Sequence, residues 1–205
     1  MATRFYLTQI TAPFIPAFNS NWNITSAVSS FVLSEYRDKG AAQNYSSGAA
    51  GAAAPRKMLI AQFVSPPLVS QVLNGTFYGQ IRMARSGGTV TAYGIIYLRK
   101  ISAAGVITEL GSIDSQTVLA ITPLVNHTFS SITLSSVTIN GGDRLIIEVG
   151  GDYTVGTAVN LTSTLQLQTN SATDLPVDNT STTSLSTWVE FSQTLFLQQQ
   201  ANLFI

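Results

Sequence analysis

Apolar and polar residues alternate with period two along much of this chain, and no other feature limits its possible folds so strongly. Val159, Leu161, Leu165 and Leu167 are interleaved with Asn160, Thr162, Thr164, Gln166 and Gln168. Successive side chains of a strand point to opposite faces, so the pattern predicts a strand with one wet face. The same period recurs in Phe77, Ile81 and Met83 against Tyr78, Gln80 and Arg82. It recurs again in Leu145, Ile147 and Val149, and in Val189, Phe191, Leu195 and Leu197. Segments 57–64, 92–100, 105–113 and 128–139, rich in β-branched and aromatic residues, add four candidate strands.

Ser86-Gly87-Gly88, Asn140-Gly141-Gly142-Asp143 and Gly150-Gly151-Asp152 supply turn signals between these runs, because Gly and Asn tolerate positive φ. Short connections imply antiparallel pairing. The predicted fold is therefore all-β: an antiparallel β-sandwich, jelly-roll-like, with a closed barrel as the neighbouring solution. A chain of 205 residues fits one such domain. Only Thr25 to Tyr36, with Val28, Phe31 and Val32 at helical spacing, leaves room for one or two helical turns.

Two segments are expected to lie outside the sandwich. Residues 1–22 read as an extended N-terminal arm, since Pro13 and Pro16 hold the chain open between Phe14, Ile15, Phe18 and Trp22. Those four side chains are the candidate partner-binding residues. The body runs over residues 23–205, and its Ala/Gly-rich stretch at 40–55 is expected to be a flexible loop.

Charged residues make up 10% of the chain, against roughly 25% in typical soluble domains, while hydrophobic residues reach 45%. Ten Lys and Arg balance ten Asp and Glu without a run of one sign, so nothing is arranged to neutralise a phosphate backbone, and direct nucleic-acid binding is not expected. Zero net charge favours association, and self-association is expected. No stretch approaches the roughly 20 apolar residues of a membrane helix, and the N-terminus lacks the features of a signal peptide, so no membrane partner is expected. With no cysteine there is neither a disulfide nor a thiolate site.

Candidate chemistry is sparse. His127 is the only histidine, and no serine sits in a Gly-x-Ser-x-Gly elbow, so a nucleophilic triad has no support. Glu109 with Asp114, and Glu148 with Asp152, are close carboxylate pairs of the kind glycosidases use, but Glu148 and Asp152 flank a Gly-Gly pair and are expected to serve a turn. Asp174 and Asp178, on the stretch 173–180, could offer calcium oxygen ligands, although a turn fixed by Pro176 and Asx side chains is the stronger reading. Six Asn-x-Ser/Thr triplets, at Asn23, Asn44, Asn74, Asn126, Asn160 and Asn179, are expected to carry no glycans. Tyr78, Tyr93, Tyr97, Tyr153 and Trp188 could meet a sugar, although rings on strands more often belong to core or interface. The expectation is a protein that is not an enzyme and needs no cofactor, catalytic group or metal.

Arg4-Phe5-Tyr6-Leu7, followed by Pro13, Pro16-Ala17-Phe18 and Trp22, resembles a group of small virion structural proteins of tailed bacteriophages. Gly142-Asp143-Arg144-Leu145, Ala172-Thr173-Asp174-Leu175-Pro176, Asp178-Asn179-Thr180 and Trp188-Val189-Glu190-Phe191-Ser192 are similar to later blocks of the same group. The resemblance implies a jelly-roll-like capsid decoration, or cement, protein on the capsid surface of the virion. Its implied partners are the major capsid protein and further copies of itself, with a homotrimer favoured by the three-fold positions of capsid lattices. A head-fibre or tail-associated receptor or carbohydrate-binding module is the alternative. The Ala/Gly stretch at 40–55 departs from the shared pattern.

Overall fold

A computed structural model describes residues 1–38, 40–49, 56–87, 90–155, 161–167 and 171–198. Eleven strands run in chain order: β1 (Thr3–Thr11), β2 (Ser29–Ser34), β3 (Gln43–Ser46), β4 (Arg56–Val64), β5 (Gln71–Arg85), β6 (Thr91–Ile101), β7 (Ile107–Asp114), β8 (Val125–Ile139), β9 (Arg144–Val155), β10 (Ser163–Leu167) and β11 (Trp188–Phe191). No helix occurs among the described residues, and the chain is an all-β sandwich.

One continuous sheet path, β3-β10-β5-β11-β1-β2-β4-β9-β6-β7, curls so that β8, paired along the other edge of β5, returns towards β7 through the Ser115–Phe129 bridge. One layer is β8, β5, β11, β1 and β2, with β10 and β3 beyond the far half of β5. The other is β4, β9, β6 and β7. Pairing is antiparallel except where β2 meets β4 in parallel at the junction of the layers. Between them lies the core, built on Phe5, Leu33, Phe63, Phe77, Ile81, Phe129, Ile147, Leu165 and Phe191.

The alternating residues face inward as expected: Phe77, Ile81, Met83, Leu145, Ile147, Val149, Leu165 and Leu167 are all fully buried. Thr25–Tyr36 holds β2 rather than a helical turn. Phe31 and Leu33 alternate inward there, and both edges of the strand are taken, by β1 and by β4. Within 40–55, residues 43–46 form β3 against β10, so this part is an edge strand rather than a loop; residues 50–55 lie outside the described set.

Residues 1–22 do not form a detached arm. Thr3–Thr11 is an interior strand between β11 and β2, and Phe5 and Leu7 enter the core. Residues 12–28 then cross the outer face of β4, β9 and β6. That cover explains the near-continuous apolar runs Met58-Leu59-Ile60-Ala61 and Leu145-Ile146-Ile147, since strands buried on both faces lose their polar alternation. Gly150-Gly151-Asp152, expected as a turn, lies inside β9.

Candidate functional site

Glu148 on β9 lies on the outer face, in register with Gln62 of β4 and Tyr97 of β6. Its carboxylate is completely buried and collects donors from four sources. They are the Arg99 guanidinium, Trp22 Nε1 at 2.8 Å, Gln62 Nε2 at 3.0 Å, and the Asn19 backbone N–H at 3.1 and 3.2 Å. Arg99 also donates to Ala17 O, Gln62 to Pro16 O, and Asn19 Nδ2 to Glu109 at 2.7 Å. The crossing segment is thus buckled to the sheet through a buried charge pair, while Trp22 packs on Leu59, Ile95 and Tyr97. Glu148 does not serve a turn and has no access to a sugar.

Of the four expected docking residues, the structure keeps two for the protein's own fold. Trp22 is 6% exposed, and Phe18 is half-buried beside it. Phe14 and Ile15 remain open, at 37% and 66% exposure. Phe14 shares the wall of a hollow of about 390 Å³ with Ile101, Ala103, Gly105, Gly142 and Arg144. A second hollow, of about 540 Å³, is lined by Val32, Glu35, Tyr36, Pro66, Leu195 and Phe196. The two flank the paired loops 65–70 and 140–144, which are joined by Leu68 N–H to Asp143 O and Gly142 N–H to Leu68 O. Sequence reasoning missed Tyr36, a lone ring among polar residues, and Phe196, which falls between Leu195 and Leu197 on the face that their alternation marks as wet.

On the opposite layer, Arg4 lies 3.7 Å above the Trp188 ring and bridges Asp174 and Glu190, both at 2.7 Å; Arg37 reaches Asp174 at 2.6 Å. Tyr6 and Tyr78 donate to Asp174 and Glu190, and burial, reinforced by those carboxylates, raises both phenol pKa values. The stretch 173–180 forms the expected Asx turn: Asp178 Oδ1 accepts from Thr180 N–H and Ser181 N–H. Asn126 Nδ2 and Thr128 clamp the same loop from β8 through bonds to Pro176, Asp178 and Asn179. Gln80 and Arg82, expected to be wet, are buried beneath it. Among the described residues no three His, Asp or Glu side chains converge as a metal site. Tyr97, Tyr153 and Trp188 are buried, so they offer no ring platform to a sugar.

His127 faces the core from β8. Its Nδ1 pairs with Thr117 Oγ1 at 3.0 Å, and Nε2 has no hydrogen-bond partner. Burial lowers its pKa to about 4, against a smaller upward pull from the nearby Met83 backbone. The ring is neutral in both folded and unfolded states above about pH 6.5. Between 6.5 and 4 the unfolded chain takes up a proton that the native state resists, so stability falls with pH in that window, by a limiting amount on the order of 3 kcal/mol. Urea titrations at pH 7.5 and 4.5 should show this loss in the wild type and a flatter profile in His127→Asn. Equal slopes would exclude the residue as its source.

No family model matches this chain, and no curated protein matches it. Solved structures with the same architecture include a CocE/NonD family hydrolase from Staphylococcus aureus, with 8% identity and a TM-score of 0.52. An aminopeptidase from a marine sediment archaeon, Thaumarchaeota archaeon, has 11% identity and a TM-score of 0.53. Each match covers 93% of this chain and 36% of the other. At such identity the likeness is one of fold alone, and it spans about a third of those larger proteins.

Proposed function

We propose that this chain is a non-enzymatic structural protein of a tailed-phage particle, a decoration protein that seats on the outer capsid shell and bridges neighbouring capsid subunits. The observation that carries this reading is how the surface divides. Most cations are paired within the chain: Arg4, Arg37, Lys57, Arg99 and Lys100 meet carboxylates, and Arg82 donates to a backbone carbonyl. Large apolar groups meanwhile stay outside. Phe14, Tyr36 and Phe196 border the two hollows, and Ile15, Val69 and Val106 are also exposed. An exterior sparse in free charge, with apolar groups on it, can be covered by neighbours while stripping water from few charges. The resemblance of the N-terminal and C-terminal blocks to phage virion proteins supplies the particle.

A ligand that binds only the assembled shell stabilises it by mass action, and repetition over a lattice multiplies a modest affinity. Particles lacking the protein should therefore release DNA at a lower temperature than wild type, and purified protein added back should restore the difference. Particles that match wild type in thermal release yet fail to adsorb to cells would replace this reading with the receptor-binding module.

A further inference from the structure

We infer that the chain assembles with further copies of itself through a knob-and-socket contact, in which Glu35 and Tyr36 of one copy enter the hollow lined by Phe14, Ile101 and Arg144 of the next. This deepens the reading of the chain as an assembly subunit and rests on it.

The socket joins an aromatic wall to an uncompensated cation. Arg144 lies over the Phe14 ring at 5.5 Å, and its Nη1 donates to Ser65 O at 2.8 Å. Among the described residues it has no carboxylate partner, unlike Arg4, Arg37, Lys57, Arg99 and Lys100. Burial lowers its pKa with no acidic neighbour to oppose the shift. A ligand with an apolar body and a carboxylate would satisfy both features.

The chain carries such a group. Tyr36 is 81% exposed, just beyond β2, and Glu35 beside it is exposed and has no bonding partner among the described residues. An exposed ring next to an unpaired carboxylate matches an exposed ring next to a guanidinium that has no carboxylate. Arg–carboxylate pairs are planar and directional, which fixes orientation as well as strength. Tyr36 brings a large, nearly rigid apolar surface at low entropic cost, as interface rings do.

Knob and socket lie on walls of different hollows, separated by the loops 65–70 and 140–144. The contact is therefore heterologous, one patch meeting a different patch on the next copy. Such contacts close into rings when the rotation between copies allows it.

Sedimentation of the purified full chain over a range of concentrations tests the contact. Wild type should associate, more weakly as salt rises. Glu35→Arg and Tyr36→Ser, both at exposed positions, should each raise the dissociation constant on the order of tenfold or more while leaving the melting temperature of the monomer unchanged. The charge-swapped pair Glu35→Arg with Arg144→Glu should recover association. A wild type that stays monomeric throughout, or association that Glu35→Arg and Tyr36→Ser leave untouched, overturns the inference. Copies that associate through this contact while particles lacking the protein keep normal thermal release would sink the decoration reading alone. Restored thermal release by Glu35→Arg protein that no longer self-associates would sink this contact as a requirement and leave the decoration reading standing.

Discussion

Replacing Glu148 with alanine should lower the free energy of unfolding by about 3–5 kcal/mol, the usual cost of removing one partner of a buried ion pair. The cause is what remains rather than what is lost. Arg99, whose side chain is 5% exposed, would keep its charge in the protein interior with only Ala17 O as a bonded acceptor. Trp22 Nε1 and the Asn19 N–H would lose their acceptor in the same step. Native stability of a domain is about 5–15 kcal/mol, so the variant should unfold at a markedly lower urea concentration. The double variant Glu148→Leu with Arg99→Met should recover much of the loss, because an apolar pair of similar volume removes both charges together. A loss under about 1 kcal/mol in Glu148→Ala would show that the segment over β4, β9 and β6 does not depend on this buckle.

That buckle was only half legible in the sequence. Pro13 and Pro16 announced an extended segment, and Phe14, Ile15, Phe18 and Trp22 announced that it docks, but nothing local says which surface receives it. The destination is a tertiary fact: Trp22 meets Leu59, Ile95 and Tyr97, each distant in the chain. A usable signal did exist in β9. Leu145, Ile146, Ile147 and Val149 leave no wet face, and a strand apolar on both sides is covered on both sides. A carboxylate in such a run must be buried and paired. The adjacent Gly150-Gly151 carries the competing signal, because glycine pairs mark turns more often than close approaches within a sheet.

The alternating strands fared better. Phe77, Ile81, Met83, Leu165 and Leu167 face the core because a single register satisfies all of them, and a slip of one residue would expose the whole set. β1 and β2 were missed for opposite reasons. The prolines after β1 made its alternation look like the start of an arm, and at β2 the helical spacing of Val28, Phe31 and Val32 masked the period-two pair Phe31 and Leu33. Pairing partners decided both, and pairing is not written locally.

The glycines of β9 give the second large effect. A Cβ on Gly150 would stand 2.1 Å from Met58 O and 2.6 Å from Cη2 and Cζ3 of the Trp22 ring. The first clash is with backbone, so β4 and β9 would have to separate; the second would lift Trp22 from its seat. Gly150→Ala should therefore cost roughly 3 kcal/mol or more, from overpacking together with loss of a buried aromatic side chain. Gly141→Ala is the matched control. Its added methyl would lie 3.4 Å from Ser70 Oγ and 3.5 Å from Gln198 Nε2, so a change within about 0.5 kcal/mol is expected. Trp22 is one of two tryptophans, and Trp188 is buried in the other layer beneath Arg4. Emission from Gly150→Ala should accordingly shift to longer wavelength as Trp22 reaches water, while Trp22→Phe removes the shift. A Gly150→Ala protein with wild-type emission and wild-type urea midpoint would mean that the segment 12–28 does not lie against β9 as described.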